Sequence, residues 1–366
     1  MTATGGSVHD AVVVGSGHNA LVSACYLARE GWSVEVLERD TVLGGAVSTV
    51  ERFPGYAVDR GSSAHIMIRH SGILEELDLA SHGLHYIDCD PWAFAPPPVP
   101  SSRPGIVFHR DLDRTCASIE AACGGRDAEA YRRFVCDWGP RSAAVMKTFA
   151  APPTARHLVP SFRGLDLGGG ALDISRRFLT SGDALLDEYF DDEPLKAALA
   201  WFGAQSGPPM SEPGTAPMVG FAALMHTLPP GRAVGGSGAL TRALASRLAS
   251  DGGAVTCGDA VVEIRRTGET WRIHTESGRI VSAVPSSRDA TSSRPWICSN
   301  GADSTPLGSK GGDDASASVP ASVWCSGSEP TCSPAIAARP ATAATPPVCN
   351  CSSTTAPSSV SRTARH

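Results

Sequence analysis

The chain has 366 residues, 42% of them hydrophobic, and a formal net charge of -6 from 31 basic and 37 acidic side chains. That length supports about two domains, and the lack of a basic block excludes a nucleic-acid binder that works by neutralising phosphates. No apolar run approaches the roughly 18 residues needed to span a bilayer. Residues 1–7 lack the charged and apolar regions of a secretory signal, so a cytoplasmic protein without an integral membrane segment is expected. Cys25, Cys89, Cys116, Cys123, Cys136 and Cys257 are scattered and read as reduced thiols. Cys349 and Cys351 form only a C-x-C in a polar stretch, so no metal site is expected.

The first strand is Ala11-Val12-Val13-Val14, a short apolar run of the kind buried in a parallel sheet. Gly15-Ser16-Gly17-His18-Asn19-Ala20 follows and matches G-x-G-x-x-A. Residues 18–30 read as a helix with Leu21, Ala24, Leu27 and Ala28 on one face and Gly31 as its stop. Residues 33–37 are a second strand, which runs into Glu38. The residue types fit one chemistry. Gly15 permits the tight turn, Gly17 lets the backbone approach a pyrophosphate, and Ala20 allows close helix–strand packing. Free N–H groups at the helix start favour an anion, and Glu38, about 20 residues on, is placed to accept hydrogen bonds from a ribose diol. Strand, glycine turn, helix, strand and acid in this order define a dinucleotide-binding unit.

Leu43-Gly44-Gly45-Ala46-Val47-Ser48-Thr49 comes next, a Gly-Gly pair that lets the backbone pass close to a cofactor. Phe53-Pro54-Gly55-Tyr56-Ala57-Val58-Asp59-Arg60-Gly61 then supplies an aromatic-x-x-Asp-x-Gly stretch. Together with the Gly-His-Asn-Ala-Leu-Val run at 17–22, these motifs resemble the FAD-dependent oxidoreductases of the phytoene-dehydrogenase-like group. Within that group the resemblance is to the branch of pyridine nucleotide-disulphide oxidoreductase domain-containing proteins. It implies FAD as cofactor, contacted by Gly15, Gly17, His18, Asn19, Ala20, Glu38 and Arg39 and by Gly44, Gly45 and Ala46. No C-x-x-C pair accompanies these motifs, so disulphide reductase chemistry is not expected.

From 72 onward the pattern mixes classes. A short helix at 73–77 precedes strands at 84–87, 93–95 and 105–109. Helices follow at 116–122, behind an acidic cap, and at 128–146 and 184–202; a Gly/Pro break covers 203–214. Strands followed by helices suit a substrate domain inserted into the cofactor domain, as the resemblance also implies. A helix at 239–249 carries Leu240, Leu244 and Leu248 at i, i+4 and i+8. Strands at 254–257 and 260–265 follow it. By resemblance, the backbone of Val261 or Val262 would meet the adenine; the other reading is an ordinary core strand.

After Ala283 the composition shifts to Ser, Ala, Pro and Thr, with Leu307 the only Leu and no Phe, Tyr or Met. Such a segment cannot bury enough apolar surface to offset its conformational entropy. A natural disordered tail is one reading. A reading-frame shift is the favoured one, because the break falls inside the strand-like run 278–283 rather than at a linker.

The expected fold is therefore α/β. A Rossmann-like FAD-binding domain comprises 8–75 and 229–283, an inserted α+β substrate domain 76–228, and a disordered or frameshifted tail 284–366. The resemblance implies oxidation or desaturation of an apolar small molecule, with hydride moving from a substrate carbon to flavin N5. A flavin amine oxidase-like enzyme and a truncated, inactive flavoprotein are the alternatives. His65, His70, His85, His109 and His226 are available, but none is assigned as catalytic. A lipophilic substrate would be compatible with peripheral membrane attachment, although no basic amphipathic helix argues for it.

Overall fold

The computed structural model describes residues 7–149, 154, 156, 176–284 and 296–299. Two compact units divide the described residues. The first holds the chain up to Ala93 and again from Thr227, with the end of a long helix from Met146; the second holds Phe94–Val145 and the described part of 158–226.

The first unit opens with β1 (Val8–His9) and β2 (Ala11–Val14), followed by helix α1 (His18–Arg29) and the fully buried β3 (Val34–Glu38). The buried face of α1 is Ala20, Leu21, Ala24, Cys25 and Ala28, mostly small residues that permit close packing. A hairpin of β4 (Thr49–Phe53) and β5 (Tyr56–Asp59) comes next, then a 3-10 turn at Met67–His70, the short α2 (Ile73–Glu76) and β6 (Tyr86–Asp88).

In the second unit β7 (Ala93–Ala95) pairs with β8 (Ile106–Phe108). Helix α3 (Leu112–Cys123) is capped by Asp111, whose carboxylate accepts the Arg114 N–H at 2.8 Å. Helix α4 (Gly125–Phe149) carries Pro140 and, with it, the buried rings of Tyr131, Phe134 and Trp138. The single helix expected over 184–202 is two helices, α5 (Gly182–Tyr189) and α6 (Glu193–Ala204). Asp127 explains the break, since its carboxylate accepts the N–H groups of Asp191 at 2.9 Å and Asp192 at 3.0 Å. Pro194 then fits the first turn of α6, where no N–H is needed. Helix α7 (Ala216–Gly220) and a 3-10 turn at Phe221–His226 end this unit.

The chain returns through β9 (Gly231–Ala233), antiparallel to β6. That pairing places β6 beside the returning chain within the first unit, whose first stretch runs to Ala93. Helix α8 (Gly238–Ser250) buries Leu240, Leu244 and Leu248 and packs on α1, where the Cys25 thiol reaches the Leu244 carbonyl at 3.2 Å. Strands β10 (Ala254–Cys257), β11 (Val261–Thr267), β12 (Thr270–Thr275), β13 (Ile280–Ala283) and β14 (Trp296–Ser299) complete the described chain. One sheet has the order β10-β3-β2-β14 and is parallel throughout; the other has the order β1-β13-β12-β11. Strand β14 falls within the stretch 284–366. Its backbone lies beside β2, with Trp296 opposite Ala11 and Ser299 opposite Val14, because the edge of a parallel sheet accepts a partner through main-chain groups. Apart from Val284, the rest of the expected tail lies outside the described residues. Among the described residues, no helix is long and apolar enough to cross a membrane.

A buried ion pair fastens the two sheets together. Glu35 of β3, 3% exposed, accepts both Arg279 terminal nitrogens at 2.7 and 2.8 Å and the Thr256 hydroxyl at 2.8 Å. Burial alone would raise its pKa. The His9 ring, 3.2 Å away, and hydrogen bonds from Arg279 and Thr256 overcome that and bring it down to about 2.

Candidate functional site

The site is built where β2 and β3 end. Gly15 has φ +90 and donates its N–H to the Leu37 carbonyl at 2.7 Å, which turns the chain over the end of β3. Gly17 is the N-cap of α1 and caps it without a side-chain hydrogen bond. The first N–H groups of α1 therefore have no side-chain acceptor from the cap, the arrangement that favours an anion. His18 is the first residue of α1, half-buried, and its pKa is lowered by burial, so the ring is neutral at pH 7. Asn19 is exposed on the first turn and Ala20 is buried against the sheet.

Glu38 is 8% exposed and already engaged. Its Oε2 accepts the Ser16 N–H at 2.6 Å and the Ser16 hydroxyl at 2.7 Å, and its Oε1 accepts the Asp40 N–H at 2.9 Å. A carboxylate offers about four acceptor positions, so about one remains for a ribose hydroxyl. Arg39, beside it, is exposed.

The Gly-Gly turn closes the other side. Gly44 forms a parallel bridge with Gly17, and its N–H donates to the Ser16 hydroxyl at 3.0 Å. At φ +107, a Cβ on Gly44 would stand 2.4 Å from the Val47 carbonyl and 2.6 Å from Thr241 Oγ1. A Cβ on Gly45 would meet only the Gly17 Cα, at 3.8 Å. The two glycine motifs thus face each other backbone to backbone, and Ala46 next to them is exposed. Ser16 links Glu38 to Gly44, a role invisible in the sequence, where it occupies a variable place between two glycines.

Val261 and Val262 come to the same end of the sheet, because the chain just before them donates from Asp259 N–H to the Glu38 carbonyl at 3.1 Å. Val261 packs against the buried cluster of Val12, Leu37, Ile273, Val281 and Ala283. The β11–β12 register jumps from Val261 opposite Thr275 to Glu263 opposite His274. Val262 is therefore the bulged residue, without a ladder partner. Asp59 does something the sequence did not reveal. Its Oδ1 accepts the Thr49 hydroxyl at 2.7 Å and the Ser237 N–H at 2.9 Å, which ties the hairpin to the start of α8. Burial would raise its pKa, but these hydrogen bonds leave it below the usual carboxylate value.

The unassigned histidines scatter. His65 is buried in the first unit, with Nδ1 2.6 Å from the Tyr86 hydroxyl. His70 Nε2 lies 3.1 Å from the Leu228 carbonyl. His226 belongs to the second unit, bound through Nε2 to Tyr131 at 2.9 Å and through Nδ1 to the Arg110 carbonyl at 3.0 Å. None of these contacts forms an acid–base pair beside the glycine loops.

Comparison with known proteins agrees with this geometry. The NAD(P)-binding Rossmann-like domain family matches residues 13–77. The chain is 29% identical over 296 residues to the rat pyridine nucleotide-disulfide oxidoreductase domain-containing protein 2, a match covering 71% of this chain and 49% of that protein. It is 30% identical over 168 residues to one component of the limonene dehydrogenase of Castellaniella defragrans, covering 45% of this chain and 30% of that one. A redesigned putrescine oxidase shares the fold at a TM-score of 0.50 and 15% identity, covering 75% of this chain and 56% of that chain. The chain spans about half the length of the rat relative. The glycine motifs and the parallel sheet thus agree with the Rossmann-like match over residues 13–77.

Proposed function

We propose that the chain holds FAD at the ends of β2 and β3 and that its reaction is the two-electron oxidation of an apolar small molecule. The observation that carries this reading is the face-to-face packing of Gly17 against Gly44 and Gly45 beside an uncapped helix start and a buried acid. One glycine loop would serve any dinucleotide; the second narrows the reading to a flavin. In this reading the N-terminus of α1, with Gly15, Gly17, His18, Asn19 and Ala20, holds the diphosphate. Glu38 takes one ribose hydroxyl, Arg39 lies at the rim, and Gly44, Gly45 and Ala46 let the cofactor pass. The bulged backbone of Val262, with Val261 beside it, offers main-chain groups to the adenine.

Bound FAD supplies a two-electron acceptor for hydride from a substrate carbon. The protein's own part is to bind, orient and exclude water. Residues 8–75 and 229–283 would make the cofactor domain and 76–228 the substrate domain. Support for an apolar substrate comes from a relative whose name specifies limonene, a hydrocarbon. The test is anaerobic: a terpenoid or a polyamine is added to the FAD-loaded chain and the visible flavin absorption is followed. Bleaching by the terpenoid alone supports the reading; bleaching by the amine alone replaces it with an amine oxidase.

A further inference from the structure

His65 sits on the segment that follows the Gly-Gly turn. Ser62 donates its N–H to the Ala46 carbonyl at 3.1 Å, and Gly61 lies against Ala46 so closely that a Cβ there would be 3.3 Å from it. The backbone of His65 is then fixed by a two-way bridge to Gly231, at 2.8 and 3.0 Å. Its side chain is fixed as well. Nδ1 is 2.6 Å from the Tyr86 hydroxyl, and the rings meet edge to face at 5.6 Å. Tyr86 is held from its other side by the Arg69 guanidinium, 5.2 Å from its ring centroid, and Arg69 is paired with Asp88. Yet His65 Nε2 is buried with no hydrogen-bond partner among the described residues, on a residue only 5% exposed. A buried polar atom left unpaired is costly, and a side chain locked this thoroughly around one calls for a ligand.

We propose that His65 is a further binding residue of the dinucleotide site, donating its Nε2–H to the anionic diphosphate at the N-terminus of α1. The inference rests on the FAD reading above. With the Tyr86 hydroxyl donating to Nδ1, the ring proton resides on Nε2. Tyr86 stays protonated at neutral pH, because burial pushes its pKa up to about 12. The groups acting on His65 are His18 and Arg69, which disfavour a charged ring, and Asp59, which favours it. The Gly-Gly turn, tied to the His65 segment through the Ser62–Ala46 hydrogen bond, bridges Gly17, the residue that opens α1. Burial and these neighbours keep the ring neutral, so it is a donor by hydrogen bonding and not by charge.

The test measures FAD and ADP affinity by flavin fluorescence quenching and calorimetry, with adenosine as a probe lacking the diphosphate. His65→Leu is expected to weaken FAD and ADP about 10- to 100-fold and adenosine not at all. His65→Gln, whose amide keeps an N–H at similar reach, should stay within about threefold of wild type. Nitrogen NMR of the wild-type imidazole should show the Nε2 signal moving on ADP addition. Equal FAD affinity in wild type and His65→Leu would overturn the role of His65 and leave the FAD reading standing. A wild type that holds neither FAD nor ADP would overturn both. If His65→Leu loses its cooperative melt, the NMR arm decides: an Nε2 signal unmoved by ADP refutes the proposal.

Discussion

Replacing Arg279 with Met tests whether one ion pair holds the second sheet, and with it Val261 and Val262, against the dinucleotide sheet. Glu35 has a pKa of about 2 against an ordinary 4.5. At about 1.4 kcal/mol per unit, that lowering corresponds to about 3 kcal/mol of stability at neutral pH. Arg279 is 36% exposed, so water screens part of its attraction, and Arg279→Met should remove about 2 kcal/mol. The sign follows from the lowered pKa. The stabilisation is complete above pH 4.5 and disappears as pH falls from there through about 2. Urea melts of both proteins at pH 7, 5, 4 and 3, followed by circular dichroism, read the difference directly. The gap should be widest at pH 7 and should narrow below about pH 4.5 as Glu35 becomes protonated. A gap under about 0.5 kcal/mol at pH 7, within the usual range for surface substitutions, or one that does not change with pH, would refute the assignment.

Three further substitutions probe the site and its surroundings. Glu38→Gln removes the charge that holds Ser16 and Asp40, and calorimetry should show FAD bound about tenfold more weakly or worse. Gly44→Ala places a methyl 2.4 Å from the Val47 carbonyl at φ +107; thermal melts should show a loss of about 2–4 kcal/mol, with FAD released on desalting. Gly220→Ala would bring a Cβ to 2.2 Å from the Trp138 ring. It should destabilise the second unit by about 1–3 kcal/mol, seen in tryptophan fluorescence melts, while FAD affinity stays unchanged.

The parts of the fold that follow from local pattern were legible in the sequence. Ala11–Val14, α1 and β3 appear within a residue of their expected bounds, because buried parallel strands and an alanine-rich helix face leave strong periodicity. The helix carrying Leu240, Leu244 and Leu248 is equally plain. What the sequence hid depends on contacts between distant residues. The split of 184–202 into two helices comes from Asp127, more than 60 positions away, bonding the backbone at Asp191 and Asp192. Ser16 reads as a filler between two glycines until Glu38 and Gly44 are seen to share it. Asp59 reads as part of a cofactor motif, yet its carboxylate braces the start of α8. His65 carries no motif at all, and only its burial and its unpaired Nε2 single it out.

The most direct test of the account is the visible absorption spectrum of the purified chain, incubated with FAD and then desalted, beside the same experiment on Glu38→Gln. The account predicts a flavin spectrum retained by the wild type at about one FAD per chain, and a smaller retained fraction in Glu38→Gln. A colourless wild type that releases all its FAD would contradict it, because the facing glycine loops, the open helix start and the buried acid would then not suffice to hold the cofactor.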